Sequence, residues 1–210
     1  ENARAEFGLK VDLGDVERLL ITHGHIDHFG GANHVLEKSC AKIAIHELDV
    51  STLQNFEERR VVAAKDLQVF LDRSGMSAER VETMMEMNRW SKGLFRPVQV
   101  DTVLKEGPMA DAPFTVYHAP GHCPGQVCLQ LDDILFTADH VLDKITPHQS
   151  PEFITRNMGL GHYFAALKKV RDIEGVRLGL GGHMGDIPNV ARRIDETLTF
   201  HESRLEKTHN

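Results

Sequence analysis

Four side chains that can bind metal ions fall within six residues of this chain, in the segment His23-Gly24-His25-Ile26-Asp27-His28. The apolar run Leu19-Leu20-Ile21 just before it predicts a buried strand within residues 16–22. The histidines therefore follow a strand end, where the strand beneath holds a loop rigidly. Four such side chains are more than one ion takes comfortably from one loop, so the pattern indicates two metal ions.

Other predicted strands also end in histidine or aspartate. Loops at one edge of a sheet can converge on one site, so these residues can meet the first group. Taken singly, each would more often be an ordinary polar residue, but their joint occurrence favours a metal centre. Imidazole with carboxylate suits Zn²⁺ best, and iron or manganese are also admissible. The added candidates are His122, Asp139 and His183, which follow predicted strands at 114–118, 134–137 and 176–180.

The remaining pattern predicts an α/β fold. The apolar runs 127–131 and 134–137 flank Asp132-Asp133 and predict a hairpin with a two-residue turn. A further strand is predicted at 98–103 and a helix from about Pro188 to the region of Leu205. Asn157 is the predicted cap of a helix that carries the apolar residues from Leu160 to Val170.

Residues 51–93 predict two helices inserted into this α/β pattern. Each has an apolar stripe, for which we favour packing against the body of the protein. A lid over the substrate is the alternative, and the methionines and tryptophan could equally serve a homodimer interface. The stripes are Phe56, Ala63, Leu67, Phe70 and Leu71 in the first helix, and Val81, Met84, Met85 and Trp90 in the second.

Length and composition limit the classes of protein. A chain of 210 residues with 41% apolar and 26% charged residues predicts one globular domain over 1–210. The net charge of −7 disfavours a nucleic-acid partner and favours a small-molecule substrate. No apolar run is long enough to cross a membrane. The odd number of cysteines, three, favours reduced thiols and a cytoplasmic location.

Four motifs together resemble those of the metallo-β-lactamase-fold hydrolase superfamily, and the resemblance covers essentially the whole chain. It implies an αββα sandwich with a dinuclear metal site at one edge. In that site His23, His25 and His122 hold one ion, Asp27, His28 and His183 hold the other, and Asp139 bridges them. The motifs are Thr22-His-Gly-His-Ile-Asp-His-Phe-Gly-Gly31, Ala119-Pro-Gly-His-Cys-Pro-Gly125, Phe136-Thr-Ala-Asp-His140 and Gly182-His183.

The resemblance also implies a reaction, in which a metal-bound hydroxide attacks the substrate and Asp27 orients it. The loop Pro120-Gly-His-Cys-Pro-Gly125 is similar to that of the glyoxalase II-like branch. We therefore expect a small ester-like substrate: a thioester, a lactone or a related acyl bond. Phosphodiester hydrolysis, including endoribonuclease activity, and an inactive metal-binding relative are the alternatives. Redox chemistry is disfavoured because the full ligand motif is present.

Two features depart from the superfamily pattern. Members normally begin with several strands, but only 22 residues precede His23. We expect the first N-terminal strands to be missing and the sequence either to be a fragment or to omit a segment of the molecule, because the absence of these strands would leave an unpaired sheet edge. Met184 stands where relatives commonly have a small residue, and it is expected to narrow the pocket.

Several other polar residues lie close to the motifs. His148 follows the Asp139 loop and is a candidate to contact the substrate or protonate the leaving group, with a structural role as the alternative. His118 and His140 are expected to orient ligands through hydrogen bonds. Cys123 is expected to be a small packed residue rather than a reactive thiol. Tyr163 is expected in the core, and Arg192 and Arg193 on a solvated helix face.

Overall fold

A three-stranded parallel sheet holds the first ligand motif at its edge. In the computed structural model, residue 8 and the ranges 10–90 and 96–209 are described, except for the side chains of 88–90 and 209. The strands are β1 (Arg18–Leu20), β2 (Lys42–His46) and β3 (Thr102–Leu104), and β2 lies in the middle. Within the described residues, only a 3-10 turn at Leu13–Asp15 precedes β1.

A second sheet contains six strands in chain order. Its strands β7 and β8 are parallel and all other neighbouring pairs are antiparallel. The predicted hairpin is confirmed, because Leu131 pairs with Ile134 and Asp132 takes a φ of 51° in the turn between them. The strands are β4 (Gly107–Pro108), β5 (Thr115–His118), β6 (Val127–Leu131), β7 (Ile134–Ala138), β8 (Leu178–Gly181) and β9 (Asp186–Ile187).

Helices cover the outer face of each sheet. None of the described helices combines the length and apolar character that crossing a membrane would require. The helices are α1 (Ile26–Phe29), α2 (Ala32–Leu36), α3 (Val50–Gln54), α4 (Phe56–Arg73), α5 (Ala78–Trp90), α6 (Leu160–Arg171) and α7 (Val190–His209), with a second 3-10 turn at Glu47–Asp49.

The core lies in three layers of buried apolar side chains. Between the two sheets, Ala44 and Leu104 of the first sheet pack with Val127 of the second. A second cluster lies between the first sheet and its helices, and a third lies between the second sheet and the helices α6 and α7. Each sheet thus buries both faces, and the layer order of helix, sheet, sheet and helix confirms the predicted αββα sandwich.

The predicted helical insertion is present as α4 and α5. Leu71 of α4 packs with Val81 and Met85 of α5 in a cluster of their own, whereas Phe56 at the start of α4 packs with the first sheet. The favoured packing against the body of the protein thus holds for Phe56 and is wrong for Leu71, Val81 and Met85. The predicted stripes are also wrong for Ala63 and Met84, which are exposed. The side chain of Trp90 and the residues 91–93 lie outside the described part of the chain.

The predicted strand at 98–103 is shorter than expected. The amide of Val98 donates to the carbonyl of Leu53, and the amide of Asp101 donates to the carbonyl of Ile43. These isolated bonds hold the chain extended without a continuous ladder, and regular pairing begins only at Thr102.

The predicted cap of α6 is wrong. Asn157 has a φ of 64° and lies in a turn three residues before the helix. The residue that precedes the helix is Gly159, at a φ of 96°. A glycine adopts this backbone conformation without a side-chain clash, and it lets the chain turn sharply into α6 at Leu160.

Candidate metal centre

The first ligand loop leaves the edge of the three-stranded sheet and crosses to the second sheet. The amide of Ile21 donates to the carbonyl of Ala44, and the carbonyl of Thr22 accepts from the amide of Val127. His23 follows and is fully buried. The chain then enters α1, so Asp27 and the next histidine lie on a helix while the first two histidines lie on the loop.

Three histidines form the inner part of the site. The Nε2 of His23 and the Nδ1 of His25 lie 3.2 Å apart. The ring centroids of His25 and His122 are separated by 4.5 Å. One donor atom from each of the three lies within 4.8 Å of the others, which is the spacing of atoms that share one ion.

Asp139 lies at the middle of the cluster. Its Oδ1 is 3.3 Å from the Nε2 of His28, and its Oδ2 is 3.3 Å from the Nε2 of His183 and 3.6 Å from the Nε2 of His122. The Nε2 of His183 is also 3.2 Å from the Oδ2 of Asp27. The structure therefore brings all seven predicted ligand residues into one cluster.

The second sheet positions two of these residues through the parallel pair β7 and β8. Asp139 directly follows β7, and His183 comes two residues after β8. The amide of Gly182 donates to the carbonyl of Ala138, which ties the two strand ends together. A Cβ at Gly182 would lie 2.7 Å from the Cε1 of His28, so this glycine allows the main chain to approach the site closely.

The cluster leaves polar atoms that a cation would satisfy. Within the described residues, three buried atoms of the cluster have no hydrogen-bond partner: the Nε2 of His28, the Nε2 of His122 and the Oδ1 of Asp139. Such atoms destabilise a fold unless a ligand or ion pairs with them. Imidazole nitrogens and carboxylate oxygens are also the donor types that divalent transition metals accept. The residues present thus fit a metal centre.

Burial sets the protonation of the inner histidines. Burial first, and the neighbouring histidines second, lower the pKa of His23 strongly and that of His25 to about 4. Burial also lowers the pKa of His122. These rings are therefore neutral at pH 7, and only the neutral imidazole has a lone pair free for a metal ion.

In the outer part of the site, the neighbouring carboxylates raise the pKa of a histidine instead of letting it fall. Burial lowers the pKa of His28, but the contact with Asp139 outweighs it, and the net change is upward. Burial raises the pKa of Asp139, but the contact with His28 and the nearby charge of His183 outweigh it, and the net change is downward. Asp139 is therefore ionised at neutral pH and is ready to bind a cation.

His148 reaches the site through its main chain. The Nδ1–H of His122 donates to the carbonyl oxygen of His148 at 2.7 Å, which fixes the ring orientation of His122. The side chain of His148 is exposed, and its Nε2 lies 3.2 Å from the Oγ of Ser150. A role of this ring in proton transfer stays a prediction.

The two predicted orienting histidines differ in what they contact. The Nε2–H of His118 donates to the carbonyl of Pro124 at 2.8 Å, so it supports the loop that carries His122. His140 is fully buried, and its ring nitrogens have no hydrogen-bond partner within the described residues. It acts through its carbonyl, which accepts from the hydroxyl of Tyr163 at 2.9 Å, and Tyr163 is buried in the core as expected.

The expectation of a solvated helix face holds for Arg192 and is wrong for Arg193. Arg192 is exposed and pairs with Glu196. Arg193 donates instead to the carbonyls of Leu142 and Ile145, because the loop that follows the Asp139 segment packs on α7. Its guanidinium therefore holds this loop in place rather than facing solvent.

A buried carboxylate behind the ligand loops was not identified from any motif. Asp49, which is 1% exposed, accepts hydrogen bonds from the amide of Gly24 at 2.7 Å and from the amide of Gly125 at 3.0 Å. The Sγ of Cys123 lies 3.3 Å from its Oδ2. The available signal was an acidic residue three positions after an apolar strand, which is too common to single out.

The cysteines differ in exposure, and this predicts their reactivity. Cys40 is exposed, whereas burial raises the pKa of Cys123 well above its ordinary value and that of Cys128 to about 12. Because the thiolate is the reactive form, we expect only Cys40 to react rapidly with Ellman's reagent at pH 8. The Cys40→Ser variant should lose the rapid phase. A second rapidly reacting thiol in folded protein would contradict this prediction.

The family model described as the metallo-beta-lactamase superfamily matches residues 1–197. The chain belongs to this superfamily. Among solved structures, the metallo-beta-lactamase family protein TTHA1429 from Thermus thermophilus is similar with a TM-score of 0.75 and 27% identity, and the match covers 99% of this chain and 67% of that one. TTHA1623 in a di-iron-bound form shares the fold with a TM-score of 0.62 at 18% identity, and the match covers 91% of this chain and 79% of that one.

Two curated superfamily members also match. The acyl-coenzyme A thioesterase MBLAC2 of Gallus gallus is 30% identical over 129 residues, which are 58% of this chain and 40% of the relative. The probable metallo-hydrolase YybB of Bacillus subtilis (strain 168) is 27% identical over 139 residues, which are 65% of this chain and 51% of the relative. The chain thus matches about half or less of each relative's length. Both names are those of hydrolytic enzymes, the class that the sequence predicts.

Proposed function

We propose that this superfamily member is a dinuclear metal-dependent hydrolase that cleaves a small ester-like substrate, with an acyl thioester favoured. The observation that carries the proposal is the seven-residue cluster around Asp139, in which buried donor atoms lack partners. The similarity to a protein named as an acyl-coenzyme A thioesterase supports the choice of a thioester. The finer assignment to the glyoxalase II-like branch stays a prediction.

The cluster divides into two sets of donors around one shared carboxylate. We assign His23, His25 and His122 to one ion and Asp27, His28 and His183 to the other, with Asp139 between them. Zn²⁺ suits these donors best, and iron or manganese follow. When bound by these residues, two such ions would supply a water molecule of lowered pKa and would polarise the bond that is cleaved.

The chain's own residues complete the reaction. Asp27 is exposed beside His183, so its carboxylate is placed to accept a hydrogen bond from the attacking water and orient it. The exposed ring of His148 lies on the loop next to His122, and we assign it the transfer of a proton to the leaving group. The net charge of −7 supports a small substrate over a long polyanion.

Hydrolysis assays on the full chain test this proposal. Protein loaded with Zn²⁺ or Mn²⁺ is offered an acyl thioester, a lactone and an activated phosphodiester. We expect hydrolysis of the thioester that a chelator abolishes and added metal restores. Turnover of the phosphodiester alone would overturn the proposal in favour of the nuclease alternative. Bound metal with no turnover of any substrate would overturn it in favour of an inactive relative.

A further inference from the structure

Within the described residues, the hydrogen bonds to the side chain of Asp49 come from the two loops that carry the inner histidines. Gly24 lies between His23 and His25, and its amide donates to one carboxylate oxygen. Gly125 lies on the loop of His122, and its amide donates to the other oxygen. The carboxylate therefore joins two segments that are about one hundred residues apart in the sequence.

The two glycines allow this close approach. A Cβ at Gly125 would lie 2.7 Å from the Cγ of Asp49, and a Cβ at Gly24 would lie 3.3 Å from it. Any larger residue at position 125 would displace the carboxylate or the loop. The thiol of Cys123 supplies a third donor, at 3.3 Å from the Oδ2. The surroundings of Asp49 thus direct three hydrogen-bond donors at one buried carboxyl group.

Within the described residues, no ion pair accompanies the burial of Asp49. A buried polar group destabilises the folded state unless hydrogen-bond donors compensate. Burial raises the pKa of Asp49, and the donors from Gly24, Cys123 and Gly125 offset that rise only in part. Each of these donors lies within three residues of His23, His25 or His122, and none lies beside His28 or His183.

We infer that Asp49 is a positioning residue that holds His23 and His25 at a fixed distance from His122, and so sets the metal affinity of the inner site. This inference rests on the ligand assignment in the proposed function. The effect should be confined to the inner site, because no hydrogen bond among the described residues joins the Asp49 carboxylate to Asp27, His28 or His183. Loss of the carboxylate should weaken one ion and spare the other.

Competition with a chromophoric chelator tests the inference without any substrate. Asp49→Asn keeps the shape of the side chain but replaces one acceptor with an NH₂ group that opposes a donor. We expect its inner site to bind Zn²⁺ roughly 10–100-fold more weakly and the outer site to be unchanged. His122→Ala and His183→Ala identify the two sites, and Asp49→Asn should resemble a milder form of His122→Ala.

Asp101→Asn is the matched control. Asp101 also accepts a main-chain amide beside the central strand β2, from Ile43 at 2.9 Å, but it lies away from both ligand loops. This variant should bind both ions as the unmodified protein does. Unchanged affinities in folded Asp49→Asn, or equal weakening of both sites, would overturn the inference.

A second variant decides the matter if Asp49→Asn does not fold. Gly125→Ala keeps the Asp49 carboxylate but pushes it away from the loop that carries His122. We expect the same selective loss of Zn²⁺ affinity at the inner site. Equal or absent weakening in Gly125→Ala would again overturn the inference. Because metal binding is the measured quantity, a failure of the thioesterase assay leaves this test intact, and the two failures are distinguishable.

Discussion

Asp139→Ala is expected to reduce bound metal from two ions to one at most and to lower thioester hydrolysis by roughly 10³-fold or more. Asp139 contacts His28, His122 and His183, so its loss removes the group shared by both sets of donors. The loss should exceed the roughly 10²–10³-fold that follows removal of a single electrostatic contact in an active site. Metal analysis by mass spectrometry and steady-state kinetics measure the two effects.

Asp133→Ala provides a matched control, because Asp133 lies in the turn at the other end of the same strand β7. It is exposed in part and pairs with Arg177 on the surface, and such exposed pairs contribute little to stability because water screens them. Metal content and turnover of this variant should equal those of the unmodified protein. Full metal content and activity in Asp139→Ala would disprove the central role of this carboxylate.

Gly121→Ala is expected to lower the free energy of unfolding by roughly 3 kcal/mol or more. Gly121 has a φ of 132°, a region that other residues rarely adopt. A Cβ there would lie 2.5 Å from the Cα of Tyr163, which belongs to the main chain of α6 and cannot rotate away. The displaced segment carries His122, so metal affinity should fall as well. Denaturant unfolding measures the change in stability.

Gly175→Ala separates backbone strain from the steric clash. Gly175 has a φ of 74°, but a Cβ there would meet no atom within 4 Å. Its replacement should cost about 1 kcal/mol through backbone strain alone and leave metal binding unchanged. If Gly121→Ala is no less stable than Gly175→Ala, the close contact with Tyr163 has no energetic importance.

The sequence predicted the ligand cluster well because each candidate follows the end of a strand. Parallel pairing of β7 with β8 places Asp139 beside His183, and the crossing of the first loop to Val127 brings His23 toward His122. The apolar runs of these strands are evident in the sequence, whereas their pairing is seen only in the structure. The αββα layer order was predicted from the family resemblance of the motifs, and the structure confirms it.

The residues that sequence reasoning missed or misjudged act through long-range contacts. Asp49 bonds to Gly125, which is distant in the sequence, and no local pattern signals such a partner. Arg193 has the spacing of an exposed helical residue, yet it donates to the loop carbonyl of Leu142. Asn157 has the residue type of a helix cap but lies in a left-handed turn, because a glycine later in the loop starts the helix.

The division of the candidate ligands between the two sheets links cofactor occupancy to the cohesion of the whole fold. His23 and His25 come from the loop after β1, whereas His122, Asp139 and His183 come from loops of the six-stranded sheet. Ions held by both groups would fasten the two halves of the sandwich together along the edge where they meet. Because such ions bind only the assembled halves, their binding energy adds to the free energy of folding. Metal binding would thus raise the stability of the fold as well as supply the proposed chemistry.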